Sequence, residues 1–123
     1  PGHSSAASDV YKRQAVALGA AAETFVCGVL RETGWQILAR NWKGGGAELD
    51  IVALCDGVLR IVEVKARTGS DPLQAITPGK QRRLIRAAEA FLAVTDAPWQ
   101  EVSFSIAMVE DGQLSWLHDA FDA

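Results

Sequence analysis

The chain has 123 residues, of which 49% are hydrophobic and 22% are charged, and its formal net charge is −3. This composition is typical of an ordinary globular protein with a single domain. No run approaches the roughly 20 apolar residues that span a bilayer, so we expect no membrane partner and a cytoplasmic location. The negative net charge argues against nonspecific binding of nucleic acid by the whole surface.

Charge is distributed unevenly along the chain. Residues 60–86 contain seven Lys or Arg and two acids, whereas residues 87–123 contain seven acids and no Lys or Arg. Such segregation can place a basic surface on an acidic protein. It makes a phosphate-bearing partner plausible, and it is compatible with a homodimer.

The first 14 residues are small and polar, lack a clean period and resemble translated adaptor sequence. We therefore predict that residues 1–14 are a non-native or disordered extension and that residues 15–123 form one domain.

A first helix is predicted from Ala15 to Thr33, where apolar residues recur at helical spacing and Gly34 follows as a C-terminal stop. Glu23 lies beside the apolar stripe. It either faces solvent or points along the sheet edge toward the acids described below. The apolar stripe comprises Leu18, Ala22, Phe25, Val26, Val29 and Leu30.

Residues 35–42 predict a first strand, short and compatible with a sheet edge, and Lys43-Gly44-Gly45-Gly46 predicts a flexible loop. Consecutive glycines could bring backbone N–H groups close to an anion, but they are equally typical of any mobile loop.

The segment 48–65 carries the candidate chemistry. Two apolar, β-branched runs flank the pair Asp56-Gly57, which predicts a tight antiparallel hairpin.

Side chains alternate along a strand, so Glu48 and Asp50 share one face of the first hairpin strand, and Glu63 and Lys65 share one face of the second. If these faces meet, three carboxylates and an ammonium converge on an otherwise apolar sheet. A half-buried cluster of this kind needs a cation, a metal or a shared proton. The alternative is a solvated stripe with ordinary surface ion pairs.

A second helix is predicted from the N-cap Thr77 and Pro78 to about Val94. Its apolar stripe, extrapolated back by one turn, places Lys80 toward the sheet. The stripe comprises Leu84, Ala87, Ala88, Phe91 and Val94, and the basic residues beside it are Arg82, Arg83 and Arg86. Two further strands follow at residues 102–109 and 114–117.

The element order, with Asp50 on the second strand and Glu63-Val64-Lys65 on the third, resembles the restriction-endonuclease-like fold of the PD-(D/E)XK nuclease superfamily. The resemblance implies an α/β protein with an α-β-β-β-α-β core, in which helices flank a central mixed sheet.

A more specific pattern occurs at Gly19 with Ala22-Glu23, Gly34 with Ile37-Leu38-Ala39-Arg40-Asn41, Ala47 to Ala53, Ile61 to Arg67, and Lys80 with Ala88. In these segments the chain resembles the YraN family of small bacterial proteins.

The resemblance implies a metal-dependent DNA endonuclease that hydrolyses phosphodiester bonds in branched, single-stranded or damaged DNA. Asp50, Glu63 and Lys65 would be catalytic, with Glu23 as an additional acid and Glu48 as a further ligand or a strand-end acid. Carboxylate oxygens of Asp50 and Glu63 and the Val64 carbonyl suit Mg²⁺, or Mn²⁺ in its place. The residues expected to bind phosphate are Lys80, Arg82, Arg83, Arg86, Arg67 and Lys43.

Two alternatives stay open at this point. The same fold could bind nucleic acid or a protein partner without cleavage, or the acids could form a purely structural ion-pair network.

Overall fold

The computed structural model describes residues 2–66 and 76–121. In chain order these ranges contain α1 (Gly2–Glu32), β1 (Gln36–Gly44), β2 (Ala47–Cys55), β3 (Val58–Lys65), α2 (Pro78–Val94), β4 (Glu101–Glu110) and β5 (Gln113–Leu117). The predicted α/β class and the α-β-β-β-α-β order are confirmed.

The five strands form one mixed sheet in the order β1-β2-β3-β4-β5. β1, β2 and β3 are antiparallel neighbours, β3 and β4 are parallel, and β5 returns antiparallel to β4. Two parallel neighbours need a crossover connection, and α2 lies in the crossover from β3 to β4. The expectation that β1 is an edge strand is confirmed.

Each face of the sheet is covered by one helix, which gives two hydrophobic cores. On the α2 face, Leu84, Ala87 and Phe91 of α2 pack with sheet residues such as Leu49 and Ile61. On the α1 face, the buried helix residues are Val26, Cys27 and Leu30, packed against sheet residues that include Ile51, Ala53, Val62 and Ala107. The side chains of one strand therefore reach opposite helices.

The start of the first helix and the two apolar stripes differ from the prediction. α1 begins at Gly2 and not at Ala15, although the residues between them lack the apolar period on which the predicted start rested. Leu18 is 61% exposed, Phe25 is 40% exposed and Val94 is 69% exposed, so the apolar period overestimates how much of each helix is buried against the sheet. The domain boundary at residue 15 stays a prediction. No helix in the described ranges is long and apolar enough to cross a membrane.

The glycine segment is a tight hairpin turn, and the prediction of a four-residue flexible loop is wrong. Gly44 ends β1, and the turn consists of Gly45 and Gly46, with φ of 61° and 83°. A Cβ on Gly45 would lie 2.6 Å from the carbonyl oxygen of Arg86. The turn therefore packs against the backbone of α2, which only glycine allows.

Candidate active site

Strands β2 and β3 separate at Asp50, and this separation creates the site. Their backbone pairing runs from Cys55↔Val58 to Ile51↔Val62. At the next position the N–H of Val64 donates to Oδ2 of Asp50 at 2.8 Å. The carboxylate thus takes the place of a backbone acceptor, and the N–H of Val64 stays satisfied.

The neighbouring edge strand is distorted at the same level. Asn41 has φ of 50° and lies between the pairs Arg40↔Ile51 and Trp42↔Leu49. Across this irregularity, Ile51 packs in the core under α1 whereas Leu49 packs in the core under α2. Regular alternation is therefore broken at Asp50, and irregular strands of this kind redirect side chains.

Glu63 of β3 lies at the centre of a cluster of opposite charges. It is only 6% exposed, and its Oε1 lies 3.4 Å from Nζ of Lys65 and 2.8 Å from Nζ of Lys80. Lys65 is two residues along the same strand, as the alternation predicted, while Lys80 reaches down from the first turn of α2. The predicted orientation of Lys80 toward the sheet is confirmed.

The local sequence explains why Lys80 reaches the sheet. Thr77 caps α2, its hydroxyl accepting the backbone N–H of Lys80 at 3.2 Å, and Pro78 begins the helix. These residues fix where the helix begins, and so they fix its phase, that is, which of its side chains face the sheet. The phase that buries Leu84 and Ala87 also turns Lys80, one turn earlier, toward the sheet.

The surroundings of Asp50 disfavour the ionised form of its carboxyl group. Burial, followed by the charge of Glu63, raises the pKa of Asp50 to about 7, and the hydrogen bond from Val64 opposes this increase. The charge of Glu23 adds to the increase. A nearby carboxylate disfavours the ionised form of Asp50 in this way.

The two lysines respond differently to the same carboxylate. Burial lowers the pKa of Lys65, and although the charge of Glu63 opposes this effect, contact with Lys80 lowers the pKa further. Burial also lowers the pKa of Lys80, but the hydrogen bond and charge of Glu63 outweigh it and raise the pKa. The contact with Glu63 therefore favours the charged form of Lys80, and Lys65 is the amine that loses its proton more readily.

A cleft of about 410 Å³ opens beside these groups. We call it the site cleft, and its lining residues are Gly46, Ala47, Glu48, Asp50, Glu63, Lys80, Arg83 and Leu84. It brings Asp50, Glu63 and the exposed Glu48 to one surface beside the first turns of α2. Lys65 is not among the lining residues and reaches the site through Glu63.

Glu23 lies at the side of the site, on α1. Its Oε2 is 3.8 Å from Nη2 of Arg40, and its side chain is 15% exposed. Its negative charge contributes to the raised pKa of Asp50. Glu23 is therefore within electrostatic range of Asp50 while its own ion pair is with β1.

The predicted phosphate-binding residues divide into three groups. Lys80 and Arg83 line the site cleft. Arg82, Arg86 and Lys43 are exposed, two on α2 and one on β1. Arg67 lies outside the described residues.

Two oxygen ligands suitable for a divalent metal ion meet at the cleft. In the described ranges no group of three His, Cys, Asp or Glu side chains is placed to hold a metal. The carboxylates of Asp50 and Glu63 are nevertheless hard oxygen donors of the kind that Mg²⁺ and Mn²⁺ accept together with water. Burial and the charge of Glu63 disfavour the ionised form of Asp50, and a divalent cation beside the two carboxylates would favour it, so the donor set fits such an ion. The contact of Val64 with Asp50 is made by the N–H of Val64 and not by its carbonyl. The role of that carbonyl as a metal ligand therefore stays a prediction.

Sequence reasoning missed two features of this site. The hydrogen bond from Val64 to Asp50 depends on a strand separation that no residue pattern signals. The pairing of Lys80 with Glu63 was missed because Lys80 was expected to bind phosphate, although its helical phase already directed it at the acids.

The mixed sheet, its crossover helix α2 and the acid and lysine cluster between β2, β3 and α2 define an α/β protein with a restriction-endonuclease-like core. Comparison with known proteins then identifies the family. The model of "Uncharacterised protein family UPF0102" matches residues 22–111.

Similar proteins, each named as a UPF0102 protein, occur in several bacteria. One from Chlorobaculum parvum is 42% identical over 100 residues, covering 79% of this chain and 78% of the relative. One from Nitratidesulfovibrio vulgaris is 39% identical over 113 residues, covering 86% and 84%. One from Helicobacter pylori is 34% identical over 101 residues, covering 82% and 88%. The chain belongs to the UPF0102 family, the YraN family that its sequence segments indicated.

Proposed function

We propose that this protein is a Mg²⁺-dependent endonuclease that hydrolyses phosphodiester bonds in branched, single-stranded or damaged DNA. The observation that carries the proposal is the convergence of Asp50, Glu63 and Lys65. Two carboxylates border one cleft, and an amine lies 3.4 Å from the second of them. An acid at a cleft whose pKa is raised by burial and by a neighbouring carboxylate, as that of Asp50 is, is typical of catalytic sites.

Cleavage of a phosphodiester requires an aligned water and compensation of the charge that accumulates on the phosphate oxygens. When bound, Mg²⁺ supplies positive charge at the phosphate and makes a nearby water more acidic. Asp50 and Glu63 would hold the ion. Lys65, whose pKa is lowered first by burial, is suited to orient the attacking water or to accept its proton.

The basic residues of α2 would hold the DNA backbone. Arg83 lines the site cleft, and Arg82 and Arg86 are exposed on the same helix. Arginine contacts to phosphate fix the position of the nucleic acid without reading its bases. This agrees with recognition of DNA structure rather than of sequence.

A non-catalytic nucleic-acid-binding module is the second candidate, and one observation favours it. Glu63 already pairs with two ammonium groups, so its charge is compensated without a metal ion. A protein that only binds DNA needs the basic residues of α2 and no cation.

A cleavage assay distinguishes the two candidates. Labelled branched, single-stranded and duplex DNA are incubated with the protein in Mg²⁺, Mn²⁺ or EDTA. The variants are Asp50→Asn and Lys65→Met. Glu89→Gln is the matched control, because Glu89 is an exposed acid of α2 that does not line the site cleft.

The endonuclease proposal predicts cleavage in Mg²⁺ or Mn²⁺ and none in EDTA. Each site variant should reduce the rate by about 10²-fold or more, as the loss of a group that stabilises a transition state does, and the control should cleave normally. DNA binding by all four proteins without any cleavage would instead support the binding module. If the protein neither binds nor cleaves, both candidates are wrong.

A further inference from the structure

Two ammonium groups compete for one oxygen atom at the centre of the site. Oε1 of Glu63 lies 2.8 Å from Nζ of Lys80 and 3.4 Å from Nζ of Lys65. The shorter contact comes from a different element, since Lys80 belongs to α2 and Glu63 to β3. The side chain of Glu63 is 8% exposed and that of Lys80 is 31% exposed.

These exposures indicate that the side chain of Glu63 is held more rigidly than the side chain of Lys80. Glu63 is enclosed by the sheet and has little freedom to leave the cluster. Lys80 lies at the wall of the site cleft, and its flexible four-carbon side chain can rotate into that space. The ion pair can therefore open by movement of Lys80 alone.

The position of Lys80 conflicts with metal binding at Glu63. A carboxylate oxygen that holds an ammonium at 2.8 Å presents a positive charge to any second cation that approaches it. Like charges at this distance repel strongly where water is partly excluded. A divalent ion that binds Oε1 of Glu63 therefore displaces the ammonium of Lys80 from that oxygen.

We propose that Lys80 is a positioning residue that competes with the divalent cation for Glu63. In the cation-free protein its ammonium holds Glu63, and when the cation binds, the ammonium leaves Glu63 and turns into the site cleft toward the phosphate of the nucleic acid. This inference rests on the proposed metal-dependent function and adds a regulation of the same site. Because one residue serves both ligands, binding of the cation and binding of the phosphate favour each other.

The test measures the affinity for Mn²⁺ alone, without nucleic acid, by isothermal titration calorimetry. The proteins are the wild type, Lys80→Gln, Lys80→Arg and Arg82→Gln. Arg82→Gln is the matched control, because it removes one positive charge from an exposed position of the same helix turn. Circular dichroism confirms that each variant is folded.

Removal of the competitor should tighten Mn²⁺ binding by Lys80→Gln by about fivefold relative to the wild type, the change equivalent to an ion pair of about 1 kcal/mol. Lys80→Arg keeps a cation at Glu63 and should stay close to the wild type. Arg82→Gln should change the affinity by less than about twofold, because the exposed charge is screened.

The outcomes separate this inference from the proposed function. If the wild type binds Mn²⁺ and Lys80→Gln binds it equally or more weakly, the competition is wrong and the metal-dependent function stands. Equal tightening by Lys80→Gln and Arg82→Gln would also overturn the competition, since a general charge effect would then explain it. If none of the four proteins binds Mn²⁺, even with the competitor removed, the metal-dependent function fails as well.

Discussion

Asp50 has two interactions that act in opposite directions on the stability of the protein. Its Oδ2 accepts the N–H of Val64 at 2.8 Å, which satisfies a backbone donor where β2 and β3 separate. Its ionised form is disfavoured by burial and by Glu63, so its pKa is raised to about 7. The carboxylate of Asp50 thus stabilises the folded protein as a hydrogen-bond acceptor and destabilises it when it is ionised. Functional sites commonly contain groups that lower the stability of the fold.

The first prediction concerns the replacement of Asp50 by Asn in the metal-free protein. Because the pKa of Asp50 is higher in the folded state than in the unfolded state, the folded state binds the proton more tightly. Its free energy of unfolding therefore falls as the pH rises from about 4 to about 7. Asn keeps the acceptor for Val64 and cannot ionise. Asp50→Asn should be more stable than the wild type by about 1 to 2 kcal/mol at pH 8 and show no such gain at pH 4.

Urea unfolding in EDTA at several pH values measures this difference. Asp56→Asn is the control, because Asp56 is an exposed turn residue with φ of 49°, a conformation that Asn also tolerates. The control should show little pH-dependent gain. A wild type as stable as Asp50→Asn at pH 8 would mean that the charge of Asp50 is already compensated in the folded protein.

Part of this residue-scale description could be predicted from the sequence. Period-two alternation correctly put Glu63 and Lys65 on one face of β3, and helical phase correctly turned Lys80 toward them. The raised pKa of Asp50 could not be predicted, because it depends on burial and on a distance to Glu63 that the separation of β2 from β3 sets. Local patterns define the faces of strands, whereas distances between side chains depend on how the strands bend.

At the scale of the elements, the hairpin between β1 and β2 links the sheet to α2. Its turn residues Gly45 and Gly46 both have positive φ, as two-residue hairpin turns of type I′ require. Gly45 also lies against the backbone carbonyl of Arg86, whereas a Cβ on Gly46 would meet nothing within 4 Å. The site cleft lies between this turn and α2, so the contact at Gly45 helps to fix its width.

The second prediction compares Gly45→Ala with Gly46→Ala. Both variants place Ala in a left-handed conformation, which costs about 1 to 2 kcal/mol. Only Gly45→Ala adds a clash with α2, because its Cβ would lie 2.6 Å from the carbonyl oxygen of Arg86. Gly45→Ala should therefore be less stable than Gly46→Ala by at least about 1 kcal/mol. Denaturant unfolding of both variants measures the difference. Equal stability would mean that the turn moves away from α2 at no cost.

The glycine segment also illustrates what a pattern leaves undetermined. Three consecutive glycines are equally typical of a mobile loop and of a tight turn. The contact with α2 decides between them, and it joins residues 45 and 86, far apart in sequence. The start of α2 was predictable for the opposite reason, because Thr77 and Pro78 are local signals that need no distant partner.

At the scale of the whole molecule, exposed arginines occur on both helices but are clustered on α2. α2 carries Arg82, Arg83 and Arg86 on the face that bears the site cleft. α1 covers the other face, and its last turn carries the exposed Arg31. The overall charge is −3, so attraction of a polyanion depends on where the cations lie. If DNA binds at the site cleft, its contacts should be with α2.

The third prediction follows from that asymmetry. Each arginine that contacts a DNA phosphate releases condensed counterions, so its removal lowers the slope of log affinity against log salt concentration by about 0.9 for duplex DNA. Arg83→Gln should weaken binding of a labelled duplex and reduce the slope by this amount, because Arg83 lines the site cleft. Arg31→Gln removes the same charge from the opposite face and should leave the slope unchanged.

Fluorescence anisotropy in EDTA, repeated over a series of salt concentrations, gives both slopes. Equal reductions by the two variants would show that DNA responds to net charge alone, and a reduction only in Arg31→Gln would assign the nucleic-acid surface to the face covered by α1.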